Sequence, residues 1–281
     1  MKKVSLGTSG LEVSRLGYGA MRIAGSWNPQ QVDRAGAHAA LRAAYDAGYT
    51  LFDHADIYAR GICESLHGEL LGSSPDLRRQ TIVATKCGIR FKDNPPGTVG
   101  RYDFSAEHIE SSCEQSLNRL RVETIDLYQL HRPDLLMHPE EVAEAFASLR
   151  AKGKVRYFGV SNFLPSTVDM LQSALGDDLL VNQIEVHLKR LDPFFDGTLD
   201  QCLRNQMTPL AWSPLGGGSV LAEWDFLQTY ADQHEVGQAE IALAWLMRHP
   251  AGIIPIIGTR QPQRIAEQAR ACDVELSREE W

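Results

Sequence analysis

The chain has 281 residues, 43% of them hydrophobic, and a formal net charge of −8. That length fits one large domain or two ordinary ones, with ample apolar material for a packed core. An acidic balance with no long Lys/Arg run speaks against nucleic acid or an anionic membrane as partner.

In chain order, Met1-Lys2-Lys3 is followed by no apolar stretch, so no secretory signal is expected, and no apolar run approaches membrane-spanning length. Lys3–Leu6 and Leu11–Val13, around Thr8-Ser9-Gly10, read as a hairpin. Strand-like and helix-like stretches then alternate. The first strand is Leu16–Gly19, followed by a helix over Gln30–Ala47 that stops at Gly48. Thr50–Asp53 is the second strand, with a helix over Ile62–Leu71 ending at Gly72. Thr81–Lys86 is the third, and Ser105–Leu120 a helix with Ser105 as N-cap and His108 at the third position. Ile125–Leu130 is the fourth, with a helix over Pro139–Lys152 closed by Gly153. Val155–Val160, Leu179–Gln183, Pro209–Trp212 and Ile253–Ile257 complete eight strands. Their helices run over Pro165–Leu175, Thr198–Asn205, Glu223–His234, Gln238–His249 and Pro262–Ala271.

Eight strands each followed by a helix, none with a polar edge character, predict an α/β fold: a closed (β/α)8 TIM barrel with an N-terminal β-hairpin and extra helices. No Pro/Gly/Ser-rich linker divides the chain, so one domain over residues 1–281 is expected. Gly88–Asp103, with Pro95-Pro96-Gly97, is the longest loop and reads equally as a lid or as a plain surface connection. Ser277 and Glu280 have capping-box spacing. The helix they open is left after one turn, so a further tail is expected. The five cysteines, Cys63, Cys87, Cys113, Cys202 and Cys272, are scattered without a Cys-x-x-Cys pair. Free thiols in a reducing cytoplasm are expected, with neither a disulfide framework nor a metal site. Cys87 reads as a small core residue, although Lys86 beside it could lower its pKa.

Chemistry gathers at the strand ends. Asp53 ends the second strand, Tyr58 lies in the loop after it, Lys86 ends the third and His131 follows the fourth. The C-terminal rim of a parallel barrel holds the active site, and strands about 4.8 Å apart bring these side chains within reach. A free phenol with pKa about 10 is a poor acid at neutral pH. A nearby ammonium would lower it, Asp53 would keep Lys86 charged, and His131 would orient a carbonyl oxygen.

These residues stand in blocks through which the chain resembles the aldo-keto reductase family, closest to the bacterial YdhF-like oxidoreductases. The blocks are Phe52-Asp53-His54-Ala55-Asp56-Ile57-Tyr58, Thr85-Lys86-Cys87-Gly88, Leu130-His131-Arg132-Pro133-Asp134, the run from Gly153 to Phe163, Ala211-Trp212-Ser213-Pro214-Leu215-Gly216, and Ile257-Gly258-Thr259-Arg260. The resemblance implies a tetrad with Tyr58 as acid, tuned by Lys86 and Asp53 and aided by His131, and a nicotinamide as hydride donor. It further implies that Gly19, Met21 and Asp53 border the cofactor, and that Ser161, Asn162 and Gln183 hold the nicotinamide carboxamide. Trp212 would stack on its ring. Ser213-Pro214-Leu215-Gly216-Gly217 would bring backbone N–H groups to the pyrophosphate.

Pro262 opens a helix beside Thr259, Arg260 and Arg264, and arginine forks suit a ribose 2′-phosphate. NADPH (NADP+) is therefore expected, with NADH the weaker alternative, since Gly258 stands where one branch of the family places a lysine. Glu267 and Gln268 would reach the adenine, and Trp27, Tyr58 and His131 the substrate. The expected activity is carbonyl reduction of a small-molecule aldehyde or ketone by a monomer. A Schiff-base aldolase using Lys86, or an NADPH sensor on the same scaffold, would fit the same residues.

Overall fold

Eight parallel strands close on themselves in chain order, in a computed structural model that describes residues 1–176, 179–222 and 224–281. Ahead of them, β1 (Lys3–Ser5) and β2 (Glu12–Ser14) pair antiparallel, Val4 opposite Val13. The barrel starts with β3 (Gly17–Gly19), β4 (Leu51–Asp53) and β5 (Ile82–Cys87). A two-stranded ribbon, β6 (Ile89–Arg90) with β7 (Arg101–Tyr102), stands outside it. The barrel resumes with β8 (Ile125–Leu130), β9 (Val155–Ser161), β10 (Val181–Glu185), β11 (Thr208–Trp212) and β12 (Ile254–Ile257), which pairs with β3.

The helical layer comprises α1 (Arg34–Asp46), α2 (Ile62–Ser73), α3 (Pro75–Gln80), α4 (Ala106–Leu120), α5 (Pro139–Ala151), α6 (Pro165–Ala174), α7 (Thr198–Arg204), α8 (Ser219–Ala222), α9 (Phe226–Gln233), α10 (Gln238–Met247) and α11 (Pro262–Gln268). None of the described helices is long and apolar enough to cross a membrane.

The hairpin decides which mouth of the barrel is open. Leu6, Leu11 and Val13 pack with the inward-facing Leu51, Leu127, Leu210 and Ile254 at the N-terminal end. Each such leucine, fully buried, contributes roughly 1.5–3 kcal/mol. The plug is pinned by the Gly7 amide donating to Thr208 Oγ1 at 2.8 Å and the Tyr157 hydroxyl donating to the Ser9 carbonyl at 2.9 Å. The C-terminal strand ends are thereby left as the open face.

Where the sequence reading departs from the structure, a local polar group or a proline is responsible. The helix expected over Gln30–Ala47 is broken: Pro29–Gln31 form a separate 3-10 turn, Val32 is extended, and Asp33 restarts the chain by accepting from the Gly36 amide as N-cap of α1. Gly72 does not end α2, which runs to Ser73. Ser74 is extended because Pro75 follows it, and Pro75 opens the unforeseen α3. The sixth strand lies two residues later than expected, so Gln183 is central to it. The Gly88–Asp103 loop is tied by the β6–β7 ribbon. The helix expected from Glu223 is α9, preceded by α8; Glu223 itself lies outside the described residues. The last helix shortens to α11 and tightens into a 3-10 turn over Ala269–Asp273. The capping box forms: the Ser277 amide donates to Glu280 and the Glu280 amide to Ser277 Oγ. Cys87 is fully buried, and burial pushes its thiol well up.

Packing of α2 on α4 depends on Gly68, where an added Cβ would fall 2.1 Å from the Arg119 carbonyl oxygen and 2.8 Å from the Leu120 carbonyl carbon. Gly68→Ala is expected to force the helices apart and cost about 2–3 kcal/mol. Gly72→Ala, whose nearest contact would be the mobile end of Arg121 at 3.2 Å, should be neutral or gain up to about 1 kcal/mol from helix propensity. Urea unfolding of the two variants checks the contrast.

Candidate active site

At the open mouth, β4 and β5 deliver a buried ion pair. Lys86 Nζ donates to both oxygens of Asp53, at 2.8 and 2.7 Å, and to the His54 carbonyl at 2.7 Å. A fourth, longer contact of 3.4 Å reaches the Tyr58 hydroxyl. Gln183 Nε2 donates to Asp53 Oδ1 at 2.9 Å, tying the opposite wall of the barrel to the same carboxylate. Burial works against the Lys86 ammonium, but Asp53 and Tyr58 together outweigh it and hold its pKa above the ordinary value.

Tyr58 differs from expectation in one respect. Lys86 does pull its pKa down, yet burial is larger, so the net direction is up. The phenol is thus held as the proton-bearing form. The loop that carries it is irregular: Ala59 and Arg60 adopt left-handed φ of 47° and 56° before Gly61 at 85°. Non-glycine residues in that region cost of order 1–3 kcal/mol each and persist only where surrounding contacts impose them. Here the Asp56 amide donates to the Lys86 carbonyl and the Tyr58 amide to the Ala55 carbonyl, both at 3.1 Å.

The His131 ring stands edge-on to Tyr58, with centroids 5.9 Å apart and planes at 81°. Burial first, then the Lys86 and Arg132 cations, push its pKa well below the ordinary value. A neutral imidazole results, with a buried Nδ1 that hydrogen-bonds to no described group.

The cleft above these groups has a volume of about 1030 Å³. Most of the residues expected from sequence line it: Gly19, Met21, Trp27, Asp53, Tyr58, His131, Ser161, Asn162, Gln183, Trp212, Ser213, Pro214, Leu215, Gly217, Thr259, Arg260, Arg264, Glu267 and Gln268. Two do not. Lys86 is wholly buried beneath Asp53 and Tyr58, and an added Cβ on Gly216 would lie 3.2 Å from the His187 ring. A buried, charged lysine off the cleft wall has neither the lone pair nor the access that a Schiff base needs.

Asn162, itself at φ 63°, donates to Ser161 Oγ at 2.7 Å and to the His131 carbonyl at 3.2 Å, and accepts from Trp212 Nε1 at 2.8 Å. Arg260 is not a free charge. It donates to Asp33 Oδ2 at 2.5 Å and is wedged where an added Cβ on Gly25 would come within 2.7 Å. Arg264 is exposed, while Glu267 accepts from Gln263 at 2.7 Å. Gln268 is buried with Oε1 unpartnered. Sequence reasoning passed over Arg132, whose guanidinium stands 5.2 Å above the Trp212 ring on the cleft wall. Its place next to His131 was the available signal.

Behind the ion pair runs a buried chain that spacing alone did not disclose. His54 Nε2 meets His67 Nδ1 at 2.8 Å, His67 Nε2 meets the Tyr45 hydroxyl at 2.8 Å, and Tyr45 meets Thr81 Oγ1 at 2.6 Å. Thr81 donates onward to the Leu77 carbonyl. The direction is therefore fixed: each imidazole carries its proton on Nε2 and stays neutral. Burial holds His67 down to about 3 and His54 well below its ordinary value.

In the unfolded chain both rings would protonate below about pH 6.5. The folded chain refuses those protons, so stability contributed by the pair is full above that value and falls as pH drops towards 3. Each ring accounts for up to about 1.4 kcal/mol per pH unit. Urea unfolding between pH 7.5 and 4.5 should give a pH slope that is shallower by about that amount in His67→Gln.

A family model described as the aldo/keto reductase family matches residues 15–281. The chain is 42% identical to a 6-dehydroglucose reductase of Novosphingobium aromaticivorans, over 98% of its own length and 92% of the relative's. It is 36% identical to oxidoreductase YdhF of Escherichia coli, over 100% and 95% of the two chains. An aldo/keto reductase of Klebsiella pneumoniae, solved with NADP and acetate, superposes with a TM-score of 0.84 at 27% identity, covering 100% and 93% of the two chains.

Proposed function

The chain belongs to the aldo/keto reductase family and is an oxidoreductase, and we propose that it reduces the carbonyl group of a small aldehyde or ketone with NADPH. The observation that carries this reading is the Asp53–Lys86–Tyr58 chain of contacts, opening onto the cleft beside a neutral His131.

The residues present fit a nicotinamide dinucleotide. Added Cβ atoms on Gly217, Gly218 and Gly258 would meet nothing within 4 Å, so the backbone there lies open to a phosphate. Gln268 offers an unsatisfied buried oxygen near the expected adenine end, and Arg264 an exposed cation. Ser161, Asn162 and Gln183 would hold the carboxamide, Trp212 the ring, Ser213 to Gly217 the pyrophosphate, and Arg260 with Arg264 the 2′-phosphate. When bound, NADPH supplies the hydride.

This chain's own part is to hold the carbonyl oxygen and to protonate it. His131, neutral, donates a hydrogen bond to the oxygen and fixes its direction without adding a full charge. Tyr58 gives its phenolic proton to the oxygen as negative charge grows there. The phenolate left behind is stabilised by Lys86, whose charge Asp53 keeps in place. The raised pKa of Tyr58 suits this order of events, because the proton stays put until the oxygen becomes basic enough to take it. Among the substrates to test, a sugar-derived aldehyde comes first, since a relative is a 6-dehydroglucose reductase.

Loss of dihydronicotinamide absorbance with a panel of aldehydes, 6-dehydroglucose included, tests the activity. Tyr58→Phe is expected to lower kcat by about 10²- to 10⁴-fold, the usual worth of a positioned general acid, while NADPH still binds. Wild-type turnover in that variant would remove Tyr58 from the role.

Cofactor choice gives a separate check. Arg264 has no competing carboxylate among the described residues, whereas Arg260 must share itself with Asp33. Arg264→Ala should weaken NADPH by about tenfold or more, the worth of one charged hydrogen bond. It should weaken NADH much less, so the ratio of Kd(NADH) to Kd(NADPH) falls.

A further inference from the structure

One cation beside the reacting groups is unused by that mechanism. Arg132 lies on the cleft wall, half-buried, its guanidinium stacked 5.2 Å over the Trp212 ring. No described carboxylate or carbonyl accepts from it. Its neighbour Asp134 is committed elsewhere, accepting from the Phe104 amide at 3.0 Å and the Leu136 amide at 2.9 Å. Of the other cations of the cleft, Lys86 is paired with Asp53 and Arg260 with Asp33, while Arg264 stands beyond β12, on the side assigned to the cofactor phosphates. Arg132 is close enough to depress the His131 imidazole, so its charge is felt at the site of reaction.

We propose that Arg132 is a specificity-determining residue that receives an anionic group of the substrate, so that aldehydes carrying a carboxylate are preferred over neutral ones of the same shape. The argument rests on the carbonyl-reductase reading above. A guanidinium has five donors in a planar fork that matches a carboxylate bidentately. Stacked on an aromatic face it is oriented before any ligand arrives, so little side-chain freedom is lost on binding. The alternative partner inside the cleft, the cofactor phosphates, is assigned to the walls after β11 and β12, whereas Arg132 follows β8 and stands over Trp212, whose Nε1 donates to Asn162 on the proposed nicotinamide side.

The test compares two matched pairs with NADPH: 4-carboxybenzaldehyde against 4-carbamoylbenzaldehyde, and succinic semialdehyde against butanal. In the wild type, kcat/KM for the acid is expected to exceed that for the neutral partner by about ten- to a hundredfold in at least one pair, as a bidentate charged contact would give. Arg132→Gln should collapse that ratio about tenfold or more, chiefly through KM, and Arg132→Glu should invert it. Calorimetric binding of the same four aldehydes to the protein, with NADP+ added, reads the preference without turnover. A ratio near one in the wild type, or a ratio unchanged by Arg132→Gln in both kinetics and calorimetry, overturns the proposal. If no aldehyde is reduced at all, the carbonyl-reductase reading fails, and the calorimetric ratio alone decides on Arg132. A Kd for NADPH that weakens tenfold in Arg132→Gln with the acid-to-neutral ratio intact would make the residue a cofactor ligand and also overturn it.

Discussion

The salt bridge between Asp53 and Lys86 is the constraint around which the open end of the barrel is arranged. Two charges taken fully out of water cost several kcal/mol each, and their attraction compensates only when geometry and secondary hydrogen bonds are good. Both are good here. Lys86 meets both carboxylate oxygens and a backbone carbonyl, and Asp53 takes a further bond from Gln183 across the barrel. Loss of one partner would leave the other buried and unpaired, which typically costs 3–5 kcal/mol. β4, β5 and β10 therefore have to close in this register. A one-residue slip would turn Asp53 or Lys86 out of the network and into the helical layer.

That pair also explains how a strained loop survives at the same place. Ala59 and Arg60 in left-handed conformations would not form in isolation, yet the Asp56 amide is held by the Lys86 carbonyl at 3.1 Å and the phenol end is drawn to the ammonium at 3.4 Å. The strain is local, and its product is the position of one hydroxyl. The same lysine serves in two ways: its side chain faces the phenol, and its backbone carbonyl fixes the start of the loop that carries it.

Much of this was readable before any coordinates. Barrel strands buried on both faces appear as apolar runs, and the residue closing each run lands on the rim. Asp53, Lys86 and His131 were located by that argument alone, and Trp212 by the same one. What the sequence could not disclose falls into two kinds. One is pairing between distant residues, as between Asp33 and Arg260, 227 positions apart, which gives the arginine expected at the cofactor phosphate an acidic partner of its own. The other is a balance of opposed effects: proximity to an ammonium predicted a lowered Tyr58 pKa, but the depth of burial that reverses the direction is a tertiary quantity. Helix boundaries failed for a simpler reason. Asp33 and Pro75 impose local stops and starts that periodicity averages over.

The cleft consequently has two ends with different electrostatic demands. At the outer end, Arg260 is preset by Asp33 and by the close approach of Gly25. An exposed ion pair of this kind is worth little in water, so on the proposed reading a cofactor phosphate would need only to outcompete a weak partner for an arginine already oriented. At the inner end the cations serve the opposite purpose. Lys86 and Arg132 both disfavour a proton on His131, which burial has already made unwelcome. On the proposed reading, a neutral imidazole there donates to the substrate oxygen and leaves the acid role to Tyr58. Neutral imidazole and protonated phenol both follow first from burial; the Lys86 and Arg132 cations reinforce it at His131, whereas Lys86 opposes it at Tyr58.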